Sequence, residues 1–335
     1  MIDFGRYQTR VVVLGASGFI GRWVARSLTA LGAELFLVVR HQPSAEKIFA
    51  RYDIRGTTVQ LDLTRLDQLL PLFRDVQPAI TFNLAGYGVD RAERDPRLAY
   101  LLNSDLVKAL CQAINRHSDR QWAGRQLVHV GSALEYGEIS GNLAEDSVPF
   151  PTTLYGKSKL AGTRALTDCC QRNNVNGLTA RLFTVYGPGE HPGRLLPALL
   201  ETAKSGQPLE LTAGLQQRDF NYVEDVVEGL LRLGLTRGRP GEVVNLATGR
   251  LSSVRDFVTS AATALQIPAA NLKFGAIPTR REEMAHDPVS NTRLQQLTGW
   301  LPPTGPGDGI RRTRNFFNSP AASQNSAEVA PPLSP

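Results

Sequence analysis

Three side chains in the middle of this chain have the types and spacing for proton transfer. The stretch YGKSK puts Tyr155 and Lys159 four residues apart, and on a helix that spacing places both on one face. Ser132 closes the apolar run QLVHVGS (126–132) upstream of them. A cation beside a phenol favours the tyrosinate and draws its proton exchange toward neutral pH, while a serine hydroxyl at a strand end can hydrogen-bond a reacting oxygen. A second group is chemical through its backbone. GASGFIG sets Gly15, Gly18 and Gly21 at GxxGxxG spacing directly after VVVL. Glycines there permit a tight turn and close approach of backbone to a pyrophosphate, whose charge the N–H groups of a helix N-terminus stabilise. The expected dinucleotide contacts are Gly15, Ser17, Gly18, Phe19, Ile20 and Gly21. Arg22 suits either a phosphate or the exposed face of its helix.

These groups need a scaffold, and the sequence supplies its rhythm. From Arg10 short apolar runs alternate with helical patterns: VVVLG, RWVARSLTALG, ELFLVVR, a further helix and TVQLD, then AITFNLA (79–85), a helix through LLNSDLVKALCQAI, and QLVHVGS. That alternation predicts an α/β fold of the Rossmann type, a doubly wound parallel sheet built from successive βαβ units. The expected organisation is a dinucleotide-binding domain over 1–180 and a smaller lobe over 181–318. Segments near 220–260, including the buried run VVNLAT (243–248), return to the sheet. Residues 319–335 are small, polar and proline-rich, which predicts a disordered tail.

Composition narrows the classes. The chain has 335 residues, 42% hydrophobic and 20% charged, with a net charge of +6. That is ordinary for a soluble globular protein. The arginines are scattered without a basic run, so an anionic small molecule is expected and nucleic acid is not. No apolar leader or 18-residue apolar span is present, and neither secretion nor membrane insertion is expected. Cys111, Cys169 and Cys170 show no metal-ligand or disulfide spacing, which suits a reducing cytoplasm.

The second strand run ends in Arg40. An acid there would accept hydrogen bonds from the adenosine ribose, whereas Arg favours a 2′-phosphate, so NADP (as NADPH) is expected over NAD. Asp62, which closes the third run, and Leu63 after it are candidate adenine-side contacts. Leu84, Ala85 and Gly86 follow Asn83 at the end of the next run, where a flat ligand could approach.

With these motifs in order, the chain resembles the extended short-chain dehydrogenase/reductase superfamily, specifically its enzymes of nucleotide-linked sugars. The resemblance runs from about Arg10 to Leu301 and includes RLFTVYGPG, RDFNYVEDV, NLATG and LTGW. It implies a Ser132–Tyr155–Lys159 catalytic set, with Lys159 and Tyr155 also at the cofactor, Tyr155 moving the proton that accompanies hydride transfer, and Ser132 on the reacting oxygen. It implies a nucleotide-diphosphate grip by Arg218 and Arg280, with Arg281 and Arg194 as substitutes, and substrate contacts from Ser132, Ala133 and Thr184. Thr184 stands where the family often has Asn. Asn103 matches a family asparagine at the cofactor side, with a supporting role. A homodimer through two helices of each subunit is a further family expectation, the helix with YGKSKLAGTRALTDCC being one of them.

Family members that eliminate water carry Asp and Glu after the catalytic hydroxyl. Here Ala133 and Leu134 stand in those places, so a 4,6-dehydratase is not expected. Glu135, one residue on, reads as structural, pointing away from Leu134 if the segment is extended. The remaining expectation is an NADPH-dependent reductase of a nucleotide-linked 4-keto-6-deoxy sugar. A 4-epimerase holding NAD, a reductase of non-nucleotide carbonyls and a non-catalytic NADP-binding regulator stay open. His129 and His191, Trp122 and Trp300 read as core, loop and packing residues.

Overall fold

The computed structural model describes residue 4 and residues 9–88, 92–138, 142–173, 175–279 and 287–318. Arg280, Arg281 and the 319–335 tail therefore lie outside the described residues. The apolar runs form β1 (Arg10–Leu14), β2 (Glu34–Val39), β3 (Thr57–Gln60), β4 (Ile80–Asn83), β5 (Leu127–Ser132) and β6 (Gly177–Leu182). Between them lie α1 (Phe19–Ala30), α2 (Gln42–Arg51), α3 (Leu69–Val76), α4 (Pro96–Tyr100), α5 (Leu106–His117) and α6 (Leu154–Arg172). The later elements are β7 (Thr184–Tyr186), α7 (Leu195–Ser205), β8 (Leu209–Leu211), β9 (Gln217–Tyr222), α8 (Val223–Leu235) and β10 (Glu242–Leu246). They continue through β11 (Leu251–Ser253), α9 (Val254–Leu265), β12 (Leu272–Phe274), α10 (Thr292–Thr298) and α11 (Pro306–Asn318).

Seven strands make one parallel sheet in the order β10-β6-β5-β4-β1-β2-β3. The runs are apolar throughout because helices cover both faces. Alternate residues of β1 go to opposite sides: Val11 and Val13 join the cluster under α1 and α8, Val12 and Leu14 the one under α3, α5 and α6. The chain winds from β1 to β3 on one side and from β4 onward on the other. The crevice above the carboxyl ends of β1 and β4 is thus the switch point where such sheets bind ligands.

The opposite end of the sheet is pinned by Arg125, fully buried, which donates to Asn176, Thr236 and the Arg239 carbonyl and pairs with Glu242. Beyond the sheet, β11-β9-β7 and β12-β8 form two small sheets. The Trp23 indole on α1 donates to the Pro188 carbonyl at 2.8 Å, joining the glycine-loop helix to the loop after β7. At the outer edge of β10, Glu145 accepts the Asn245 N–H and Arg293 donates to the Val243 carbonyl.

The helix expected through LLNSDLVKALCQAI is continuous but locally widened, with a π-turn over Leu101–Asp105 between α4 and α5. Its backbone meets α6 at Gly162, where a Cβ would lie 2.0 Å from the Asn103 carbonyl oxygen. Only glycine lets the helices approach so closely.

Candidate active site

The glycine loop has the form its spacing predicts. Gly15 adopts φ +73°, and a Cβ at Gly21 would lie 2.0 Å from the Gly15 carbonyl oxygen. Gly18 caps α1 without any side-chain hydrogen bond, and the first turn carries no acid. The helix N-terminus therefore offers backbone N–H groups and a positive dipole end to an anion, as a dinucleotide pyrophosphate requires. Phe19 and Ile20 open the helix, Ser17 lies in the turn, and Ala85 and Leu84 back Gly15 across the crevice. Arg22 does something neither expectation contained: it donates to the Gly18 and Ser17 carbonyls at 3.0 and 2.9 Å, bracing the loop from behind.

Arg40 is exposed just past β2. Its charge reaches Asp62, whose carboxyl is held below the usual range first by hydrogen bonds from the Thr64 backbone and hydroxyl, with smaller help from Arg40 and Arg65. Leu63 follows in the same turn. No carboxylate ends β2, because His41 follows Arg40 and caps α2 by accepting from the Ser44 N–H.

The proton-transfer group assembles where the C-terminal end of β5 meets the first turns of α6. Thr153 caps α6 by accepting from the Gly156 N–H. Lys159 is buried and Tyr155 partly exposed, with the Ser132 hydroxyl close enough to ease ionisation of the phenol. Gly86 lies at this wall, where a Cβ would come 3.2 Å from the Asn103 side-chain oxygen and 4.0 Å from the Lys159 ammonium. Asn103 supports this wall: its amide donates to the Tyr87 carbonyl and Ser158 hydroxyl, and its oxygen accepts the Tyr87 N–H.

Burial governs both ionisations. It lowers the Lys159 ammonium to about 8, opposed by Glu135. It raises the Tyr155 phenol above its ordinary range, helped by Glu135 and Glu93 and opposed by Arg194 and Ser132. Arg194, at the start of α7, is thus the guanidinium whose charge acts on the phenol. Its partner Glu190 at 3.6 Å is pushed up to about 7 by burial.

The segment after Ser132 is not extended. Ala133–Glu135 is a 3₁₀ turn in which Ser132 accepts the Leu134 N–H at 3.2 Å and Glu135 accepts the Ser132 N–H at 2.8 Å. Glu135 therefore turns inward, fully buried, and its other oxygen takes the Thr163 hydroxyl and the Arg181 guanidinium, both at 2.9 Å. The Ser-x-x-Glu spacing of a capping box was the available signal. Arg181 and Thr163 are distant in sequence and gave none. Ala133 is buried beside the turn, and Thr184 opens β7. Arg218 lies half-buried on β9, with Asp219 beside it accepting from Thr248, Gly249 and Asn221. His129 lies inside β5 against Asn83, kept neutral by burial and by Lys159.

The profile of the NAD dependent epimerase/dehydratase family matches residues 11–247. The chain belongs to that family. The family assignment bears out the resemblance to the extended short-chain dehydrogenase/reductases, and the fold is theirs. It makes the chain an NAD(P)-dependent enzyme of that type. Among curated relatives, a dTDP-6-deoxy-L-talose 4-dehydrogenase (NAD(P)(+)) from Kitasatospora kifunensis is 28% identical over 311 residues, covering 88% of this chain and 91% of its own. A UDP-glucose 4-epimerase from Mycolicibacterium smegmatis is 26% identical over 327 residues, covering 92% and 99%. Among solved structures, MoeE5 in complex with UDP-glucose and NAD is 26% identical, with TM-score 0.79 and coverage of 92% and 98%.

Two outcomes are expected from these contacts. Glu135→Gln removes the charge that offsets buried Arg181 and should cost about 3–5 kcal/mol in urea unfolding, much of it recovered by adding Arg181→Met; an undiminished midpoint would mean the pair is dispensable. For Lys159, the folded state binds its proton less tightly than the unfolded chain, so stability rises with pH between about 8 and the unfolded lysine's ~10.4. Lys159→Met should therefore raise the melting temperature at pH 7, by a margin that shrinks as the pH approaches ~10, while turnover collapses.

Proposed function

We propose that the chain is an NADPH-dependent ketoreductase acting on a nucleotide-linked 4-keto-6-deoxy sugar. The observation that carries the reading is the half-buried Tyr155 close to Ser132 beside the buried Lys159, with Ala133 and Leu134 standing where an elimination would need an acid and a base. A bound nicotinamide supplies the hydride. Ser132 holds the substrate oxygen, and Tyr155 delivers the proton that the resulting alkoxide needs. Lys159 holds positive charge behind the phenol, and Arg194 adds more from the substrate side, so the tyrosinate left after transfer is stabilised. Ala133 and Thr184 line the sugar side. Arg218, with Arg280 of the sequence pattern, serves the diphosphate. In this reading residues 1–180 with the returning 220–260 segment hold the cofactor, and the rest of 181–318 holds the substrate.

Arg40 supports the phosphorylated cofactor, because the end of β2 offers a cation and no acceptor for a ribose hydroxyl. The named relatives favour a nucleotide-sugar substrate. One of them is a 4-dehydrogenase using NAD(P)(+), which suits reduction at the 4-position. The second reading is a 4-epimerase that keeps NAD through its cycle, favoured by the UDP-glucose 4-epimerase relative and by the NAD held in MoeE5.

We place a second copy of the chain on the groove between α5 and α6, where Tyr100 and Phe150 are 41% and 65% exposed among Lys108, Lys157 and Asp168. The free thiols fit a reducing cytoplasm. No helix among the described residues is long and apolar enough to cross a membrane.

Tyr155→Phe should lower kcat by roughly 10²–10⁴-fold and leave cofactor affinity nearly unchanged; full activity would remove the proton-transfer role. Arg40→Asp should shift the kcat/KM preference from NADPH toward NADH by about tenfold or more, the worth of one charge-assisted hydrogen bond. NAD retained through purification of the wild type, with 4-epimer formed and no net oxidation of cofactor, would turn the reading to the epimerase.

A further inference from the structure

Arg22 lies in the first turn of α1, between the glycine loop and the loop that follows β7. Its Nε donates to the Gly18 carbonyl at 3.0 Å and its Nη2 to the Ser17 carbonyl at 2.9 Å. The guanidinium carbon stands over the Tyr52 ring, 5.3 Å from the centroid. The remaining nitrogen, Nη1, faces Gly189, where a Cβ would lie 3.0 Å from it and 2.5 Å from the Tyr52 hydroxyl. Gly189 also holds φ +86°, a conformation that side chains rarely adopt. The next residue of α1, Trp23, donates to the Pro188 carbonyl at 2.8 Å. Neighbouring residues of the helix thus meet neighbouring residues of the loop.

We propose that Arg22 is a positioning residue for the cofactor pyrophosphate, acting through the peptide that joins Gly18 to Phe19, and that Gly189 keeps its seat free. In a planar trans peptide the C=O and N–H point in opposite directions. The Gly18 carbonyl accepts from the Arg22 N–H at 3.1 Å and from its Nε, so the Phe19 N–H is turned out of the helix start toward the crevice. The Ser17 carbonyl, held by Nη2, belongs to the peptide whose N–H reaches the Gly15 carbonyl at 2.9 Å. One planar guanidinium thereby fixes two successive peptides of the turn. The Phe19 N–H is among the first four donors of α1, which a helix leaves without internal partners. Aligning it before the anion arrives removes an ordering cost from binding.

The guanidinium serves the part of the dinucleotide that NAD and NADP share, whereas Arg40, past β2, is placed for the part in which they differ. Losing Arg22 therefore weakens both cofactors alike. Lysine is no substitute, because a single ammonium has no fork to span two carbonyls while lying flat on Tyr52. A side chain at Gly189 meets both the Arg22 nitrogen and the Tyr52 hydroxyl, so it pushes the guanidinium off its carbonyls. Gly189 thus acts on the cofactor from the far side of the turn, through Arg22.

The test is calorimetric titration of the full chain with NAD+ and with NADP+, which needs no substrate and does not depend on the reaction catalysed. Arg22→Met should raise both Kd values about tenfold, the worth of one lost hydrogen bond, and leave their ratio unchanged. Adenosine and 2′-AMP, which carry no pyrophosphate, should bind as they do to the wild type. Arg22→Lys should recover little of the loss. Gly189→Ala should match Arg22→Met, and the double variant should lose no more than either. Unchanged Kd values, a shifted NAD+ to NADP+ ratio, or an equal loss for adenosine and 2′-AMP would each overturn the proposal, and additive losses in the double variant would overturn the part of Gly189. Should Gly189→Ala fail to fold, the Arg22 variants decide alone.

Discussion

A carboxylate with no access to water holds the two halves of the proton-transfer group at a fixed separation. Glu135 accepts from the Ser132 backbone, from Thr163 on α6 and from Arg181 on β6, so strand, helix and neighbouring strand converge on its two oxygens. Thr163 is one helical turn beyond Lys159, on the same face. Burying a carboxylate alone would be prohibitive, and Arg181 makes it tolerable. Glycines clear the space: a Cβ at Gly131 would lie 2.5 Å from the Glu135 carboxylate, and one at Gly156 would lie 2.3 Å from the Leu134 carbonyl oxygen. The turn, the ion pair and the helix contact are consequently a single arrangement, and none of the three can relax without the others.

The same arrangement gives the site its electrostatics. Glu135 supports the charge on Lys159 and opposes ionisation of Tyr155, so the reacting pair rests as ammonium and neutral phenol. That is the state from which a proton can be given. Arg194 supplies an opposing field from a loop that the Trp23–Pro188 hydrogen bond ties to α1. The helix that begins at the glycine loop and the loop that carries Arg194 therefore share one mechanical connection. Two acids of the RDFNYVED stretch have a different task. Asp219 fastens β9 to Thr248 and Gly249, and Asp225 fastens α8 to Thr304. Those carboxylates hold chain segments together.

Much of this was legible from local pattern. The alternation of apolar runs and helical periods predicted the parallel sheet, and GxxGxxG predicted the loop, because both depend on residues near one another in sequence. The four-residue spacing of Tyr155 and Lys159 carried their common face for the same reason. Glu135 was readable as structural, but the expected extended path was wrong: the Ser132 and Glu135 side chains wind the backbone into a tight turn. Its partners Thr163 and Arg181 could not be read, since nothing local links positions separated by 28 and 46 residues. The π-turn at Asn103 escaped for a related reason, as it matches a neighbouring helix rather than any period of its own sequence. Arg194 read only as a substitute for the diphosphate arginines, and folding is what brings its charge to bear on Tyr155.

The side chains at the outer rim of β10 decide how far the sheet extends. A parallel strand at an edge presents alternate N–H and C=O groups outward, and an unsatisfied row of them is a template for another chain. Glu145 fills the donor at Asn245 and Arg293 the acceptor at Val243, and Arg293 also pairs with Asp146 at 2.9 Å. An acid and a base thus imitate the eighth strand without being one. Growth of the sheet stops at seven, and the protein carries within its own chain the protection against edge-to-edge polymerisation that a strand of apolar residues would otherwise invite.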